Sequence, residues 1–228
     1  FLWSAGSHEG NLPTINTAGD INSTVSVNDA AGFSIVKYIG NGGSGQSVGT
    51  GMSAAPELVL FKRLDANVNW FVFVKVGGVY KRLEGLNNTP TATSVSSFGV
   101  TSTTITWSGT TSDFNGDGNE YIMYCFREIS GYSKIGTYSM STNNAVSVDV
   151  GFAPRFVLLK EIDRAASWVI VDSQRKLSGN YVARIFADQN VQQSTGQQIQ
   201  IIGNTFQINW GSTGNNDNGG TGIYLAIK

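Results

Sequence analysis

Few residues in this chain have the chemistry of a site, and they are densest at Asp113-Phe114-Asn115-Gly116-Asp117-Gly118-Asn119-Glu120. Oxygen-bearing side chains at alternate positions, with glycine after the third, match the opening of a calcium loop. There a hard cation collects roughly six to eight oxygens. Asp113, Asn115 and Asp117 would offer side-chain oxygens and Asn119 its carbonyl, so Ca2+ is the one cofactor these residues would hold. The Glu that such a loop places after Asp117 is missing, because Tyr124 stands there. A comparable later loop, Gly214-Asn215-Asn216-Asp217-Asn218-Gly219, has a single carboxylate. The competing reading is a hairpin, since Asn-Gly and Asp-Gly are favoured tight-turn pairs.

Other reactive types are isolated. His8 is the only histidine and adjoins Glu9. Without a nucleophile in a sharp motif or a second histidine, the pair reads as a surface turn and the catalytic set is empty. Cys125 lies mid-strand between Tyr124 and Phe126 and reads as a small buried residue. Trp70, Trp107, Trp168 and Trp210 have the flat faces that stack on sugars, but their recurrence points to core positions. Trp3, Tyr80 and Tyr181 lack an evident partner in the pattern. Lys62-Arg63 and Lys81-Arg82 read as solvated strand ends or subunit salt bridges.

The elements that position these residues read as strands. Runs such as Phe33–Ile39, Leu58–Phe61, Trp70–Val76, Tyr121–Phe126, Tyr181–Phe186 and Ile223–Ile227 are rich in Val, Ile, Phe, Tyr and Trp. Gly, Asn, Asp and Ser clusters bound them, and no window holds a capped helical stripe. The Thr- and Asn-rich stretch Gly10–Asn28 reads as a surface crossing. Lys and Arg number 15 against 16 Asp and Glu, so the basic excess that sequence-independent nucleic-acid binding needs is missing. Charged residues make up only 14% of the 228, and Gly accounts for 28. That balance suits a sparsely charged extracellular or virion-surface β protein. One cysteine excludes an internal disulfide, and no apolar run approaches a membrane span.

The chain also resembles itself. Ala55-Pro56-Glu57-Leu58-Val59-Leu60-Phe61-Lys62 is echoed by Ala153-Pro154-Arg155-Phe156-Val157-Leu158-Leu159-Lys160, an offset of 98 (154 − 56). The same offset takes Asp65 to Asp163, Lys62 to Lys160 and Trp70 to Trp168. It drifts to 99 (131 − 32) for Gly32-Phe33-Ser34 and Gly131-Tyr132-Ser133, and to 101 (226 − 125) for the strands around Cys125 and Ala226. Ile105-Thr106-Trp107 aligns with Ile208-Asn209-Trp210 at 103 (210 − 107). The expected fold is therefore all-β: two tandem duplicated antiparallel β-sandwich domains of jelly-roll or concanavalin-like type, 1–129 and 130–228. Phe1-Leu2-Trp3-Ser4 reads as the closing strand of an earlier copy or the first strand of unit one.

Tyr121-Ile122-Met123-Tyr124-Cys125-Phe126 with Gly131-Tyr132-Ser133-Lys134, and Ala153-Pro154-Arg155-Phe156-Val157-Leu158-Leu159-Lys160, carry a further signal. Together they resemble the lectin-like repeat domain of structural and tail-fibre proteins in marine and cyanobacterial tailed bacteriophages, over the whole chain. After Trp168 the chain departs from that pattern, with Val169-Ile170-Val171 where the family tends to Tyr-Ile-Tyr. The resemblance implies a virion structural protein in a fibre, tail or capsid surface, without catalysis. Its partners would be copies of itself and other virion proteins. The alternative is a module that binds a host-surface polysaccharide.

Overall fold

The computed structural model describes residues 12–86, 93–95, 97–108, 112–140, 145–163, 165–209 and 220–228. Expectations for Phe1–Ser4, His8, Glu9, Trp210 and the loop 214–219 lie outside the described residues. The protein is all-β, with large antiparallel sheets. It divides into two compact units, Phe1–Arg82 with Thr93–Glu128, and Leu83–Ala92 with Ile129–Lys228. Among the described residues no helix is long and apolar enough to cross a membrane.

The first unit contains β1 Thr14–Asn16, β2 Ser23–Asn28, β3 Phe33–Ile39, β4 Ser47–Gly49, β5 Leu58–Arg63, β6 Phe71–Val76 and β7 Val79–Glu84 up to Arg82. It continues with β8 Thr93–Ser94, β9 Phe98–Val100, β10 Thr104–Trp107, the single helical turn α1 Ser112–Asn115, and β11 Glu120–Phe126. One sheet runs β1-β2-β3-β11-β5-β6-β7-β8 and a smaller one β4-β10-β9. The two sheets meet over one apolar cluster. The large sheet supplies Tyr38, Phe61, Phe73 and Tyr121, and the small one Val48, Phe98, Ile105 and Trp107. The core is unusually aromatic: Phe73 stacks on Phe98 at 3.9 Å, and Phe61 meets Phe114 edge-on at 5.1 Å.

Ser23–Asn28 corrects the expected surface crossing. It pairs with β3, Val25 opposite Val36, and Val25 is buried in the core. Ser and Thr at the alternate positions masked the period-two pattern, because polar side chains can hydrogen-bond on either face of an edge region.

The second unit holds β12 Ser133–Ser139, β13 Val146–Asp149, β14 Phe156–Glu161, β15 Val169–Lys176, β16 Tyr181–Phe186, β17 Ser194–Ile202, β18 Thr205–Ile208 and β19 Thr221–Ile227. They form one sheet, β12-β19-β14-β15-β16-β17-β18-β13. Val157 and Leu159 of β14 share a core with Ile199, Phe206 and Ile208 of β17 and β18, so this sheet folds over upon itself. β16 and β17 shift register between Val182 and Arg184, the kind of irregularity that sharpens strand curvature.

Each unit is organised round a strand paired on both edges: β11 between β3 and β5, and β19 between β12 and β14. Several backbone hydrogen bonds occur once in each unit. Glu57 N–H to Phe126 O corresponds to Arg155 N–H to Ile227 O, and Thr50 N–H to Val150 N–H, which reach Thr103 O and Asn204 O. The pairing Thr104 with Gly49 matches Thr205 with Asp149. By this register Trp107 corresponds to Ile208, not to Trp210, and the offset of 103 is replaced by 101 (208 − 107). The difference is two residues (103 − 101), one full strand period, so it leaves the alternation intact and is invisible in the sequence.

Phe61 is fully buried and touches the rings of Tyr38, Trp107, Phe114 and Tyr121. Phe61→Ala is expected to cost about 3–5 kcal/mol by loss of transfer energy and creation of a cavity. Val191→Ala, at an exposed site, should stay within about 0.5 kcal/mol of the parent. Urea unfolding of both variants checks the contrast.

Candidate functional site

The residues read as a calcium loop lie where β3 ends against α1 and the turn into β11. Asp113 is the second residue of α1, while Asn115 closes it and is 2% exposed. Asn115 Oδ1 accepts the Asn41 N–H at 2.9 Å, and its Nδ2 donates to Asn41 Oδ1 at 3.0 Å and to Gly43 O at 2.8 Å. Its backbone carbonyl accepts the Gly42 N–H at 3.0 Å. The Asn119 carbonyl accepts the Gly40 N–H at 2.9 Å, and Gly40 O accepts the Gly118 N–H at 2.9 Å. Two of the four expected metal ligands are therefore engaged by backbone donors of the facing loop. Asp117 is exposed and Asp113 half-buried. Among the described residues no group of three His, Cys, Asp or Glu side chains is placed to hold a metal ion.

The arrangement works as a clip. Two loops carry orphan N–H and C=O groups at strand ends, and a buried asparagine with two donors and an acceptor satisfies several at once. Glycine makes the approach possible: a Cβ on Gly40 would sit 2.3 Å from Gly116 O. Beneath the clip, Tyr121 Oη accepts the Gly116 N–H at 2.8 Å and donates to Ser112 O at 2.5 Å, while Tyr38 Oη donates to Phe114 O. Burial, and then the neighbouring Tyr121, push the Tyr38 phenol well above its ordinary pKa, so it stays a neutral donor.

The tryptophans part company. Trp107 and Trp168 are buried in their units, whereas Trp70 is half-buried, with its ring 6.2 Å from that of Tyr124. Trp70 and Tyr124 form the partly exposed aromatic pair of the first unit. Cys125 is fully buried, and burial pushes its thiol pKa upward, away from the reactive thiolate. Tyr80 Oη donates to Pro56 O at 2.5 Å.

The repeated lysines have one shared function. Lys62 Nζ donates to Val68 O and Lys160 Nζ to Ala166 O, closing the same turn in each unit. The aspartates beside them diverge. Asp65 accepts from Arg63 Nε at 2.6 Å, and Asp163 from the Thr221 N–H at 2.5 Å. Lys160 is fully buried, and burial lowers its amine to about 8, with Asp188 and Glu161 opposing that shift.

Asn115→Ala leaves the Asn41 N–H and Gly43 carbonyl without their partner and should cost about 1–3 kcal/mol in urea unfolding. With Asn115 and Asn119 committed, millimolar Ca2+ should leave the melting temperature unchanged. A saturable rise abolished by Asp117→Asn would assign these residues to the ion instead. Lys160 supplies a pH test. Its folded pKa of about 8 lies below the ordinary 10.5, so between these values the unfolded chain binds more protons and stability rises with pH. The gain at full effect is roughly 3 kcal/mol, at about 1.4 kcal/mol per pKa unit. Lys160→Met should flatten that rise in denaturation curves taken across the window.

A family model described as a domain of unknown function, DUF7483, matches residues 2–228. Comparison with curated proteins and with solved structures gives no match in either. Because the match spans both units and the clip between β3 and β11, the chain belongs to the DUF7483 family.

Proposed function

We propose that this chain is a structural and surface-binding component of a bacteriophage particle, in its fibre, tail or capsid surface, where it assembles with copies of itself and with other virion proteins. The sequence resemblance supports this reading. The observation that carries it is the use made of the polar side chains: where they are densest, Asn115, Asn41 and Tyr121 spend their hydrogen-bonding capacity on holding loops rigid. Rigid loops on a sparsely charged β scaffold suit contacts made mainly by hydrogen bonds and packing. A closed oligomer needs self-complementary patches of that kind.

A second reading, a glycan-binding module at the virion surface, is favoured by the Trp70–Tyr124 pair. Its half-exposed rings, with exposed Asn67 and Asn69 nearby in sequence, combine an apolar face with hydrogen-bonding groups.

Gold-labelled antibody against the chain should decorate purified particles at a fixed location. Its presence in host lysate with none on particles would overturn the particle assignment. In glycan-array binding, Trp70→Ala should abolish any signal for a neutral glycan while leaving the far-ultraviolet circular dichroism unchanged. Retained binding would remove the second reading.

A further inference from the structure

Arg184 on β16 is 4% exposed. Its strand neighbour on the same face, Val182, belongs to the apolar core of the second unit. Arg184 Nη2 donates to Ser194 Oγ at 3.1 Å, and the guanidinium lies 5.4 Å from the centre of the Phe186 ring. Among the described residues Nε and Nη1 are buried without a hydrogen-bond partner. Burial lowers the Arg184 pKa with no carboxylate opposing it. A buried guanidinium that lacks a counter-charge is strongly unfavourable, and a full negative charge is what offsets it best.

The strand pairing slips beside this guanidinium. Val182 pairs with Ile199 while Arg184 pairs with Ser194, so the residues between Ser194 and Ile199 bulge from the ladder. A Cβ on Gly196 would lie 3.7 Å from Ser194 Oγ and 3.7 Å from Gln198 Oε1, so both groups border the space beside Gly196. Among the described residues Gln198 Oε1 is a buried acceptor without a partner. Asn209 is tied to the Gln198 backbone, its N–H donating to Gln198 O at 2.7 Å, and among the described residues Asn209 Nδ2 is a buried donor without a partner. Arg184, through Ser194, and Gln198 thus border one bulge, and Asn209 stands opposite Gln198 just past the end of β18, although such polar groups are normally paired.

We propose that Arg184, Ser194, Gln198 and Asn209 form a binding site for an anionic saccharide unit, a uronate or a sulfated sugar. The carboxylate or sulfate meets Arg184, which can bind such groups through several N–H donors. The sugar hydroxyls, each donor and acceptor at once, answer the mixed demands of Gln198 and Asn209. A bare inorganic anion would leave those amides unpaired. The Phe186 ring holds the guanidinium in place by a cation–π contact.

The site is independent of the particle assignment: a failed gold-labelling experiment leaves it standing, and failed binding here leaves the particle assignment standing. It also differs from the Trp70 reading in needing a charged sugar. The test is isothermal titration of the whole chain with oligogalacturonate, dextran sulfate and uncharged dextran. At low salt at least one acidic probe should bind saturably, and uncharged dextran should not. Which acidic probe binds separates carboxylate from sulfate. Arg184→Gln should weaken binding by at least about tenfold, the scale of one lost charge-assisted contact. Gly196→Ala sets a methyl at ordinary contact distance from Ser194 and Gln198, so it should retain the fold while obstructing the ligand. Lys37→Gln removes an equal charge from a surface ion pair of the first unit and should bind as the parent does.

Any of three results would overturn the proposal: no saturable binding of either acidic probe, parent-like binding by Gly196→Ala, or an equal loss in Lys37→Gln. If Arg184→Gln fails to fold, Gly196→Ala with unchanged circular dichroism decides. Dissociation of an oligomer by Gly196→Ala without any effect of the sugars would also overturn it, by assigning the counter-charge to a second copy.

Discussion

A strand hydrogen-bonded on both edges is the constraint from which each unit is built. β11 has β3 on one side and β5 on the other, and β19 stands likewise between β12 and β14. A strand in that position has all its backbone groups satisfied in the ladder, so its side chains can be almost wholly apolar. Tyr121, Met123 and Cys125 then face one core, while Tyr224 and Ala226 face the other. Their neighbours take register from them, because a one-residue slip would turn the apolar set outward.

The cost of such a fold falls at strand ends, where backbone groups leave the ladder and need partners. In the first unit Asn115 and Tyr121 provide them from within. In both units a lysine closes a turn by capping a carbonyl. Lys160 performs that task fully buried, where its charge is penalised and its pKa falls. The same physics gives Arg184 its significance. A buried cation answered by a carbonyl is part of the scaffold, whereas one beside unpaired amides at a bulge is a group short of its complement.

Function, on this view, resides in departures from repetition. Where the two units agree, as in the paired turn lysines and the doubled backbone bonds, the residues explain the fold. Where they differ, a role beyond folding becomes arguable. Trp70 is half-buried while Trp168 is enclosed, and the register shift opposite Arg184 has no counterpart among the described pairs of β7 with β8, although Arg82 also lies over a ring, that of Phe71 at 5.5 Å.

The amino-acid sequence alone determined the all-β class and the placement of most long strands. Both are local properties: alternation, β-branched and aromatic content, and glycine-rich turns act over a few residues. The recurrence of Lys62 and Lys160 at one spacing was legible too, and the structure gives both the same turn-closing bond. Only the tertiary structure brings Asn115 to Asn41, 74 residues away. Locally the oxygens of Asp113–Asn119 look like ligands, and only the facing loop shows those of Asn115 and the Asn119 carbonyl accepting backbone N–H groups. Arg184 gives no local signal for the same reason. An arginine at an inward strand position gives no sign of its burial until the fold sets Ser194 against it and encloses the rest of the guanidinium, and burial together with missing partners is what makes a charge informative.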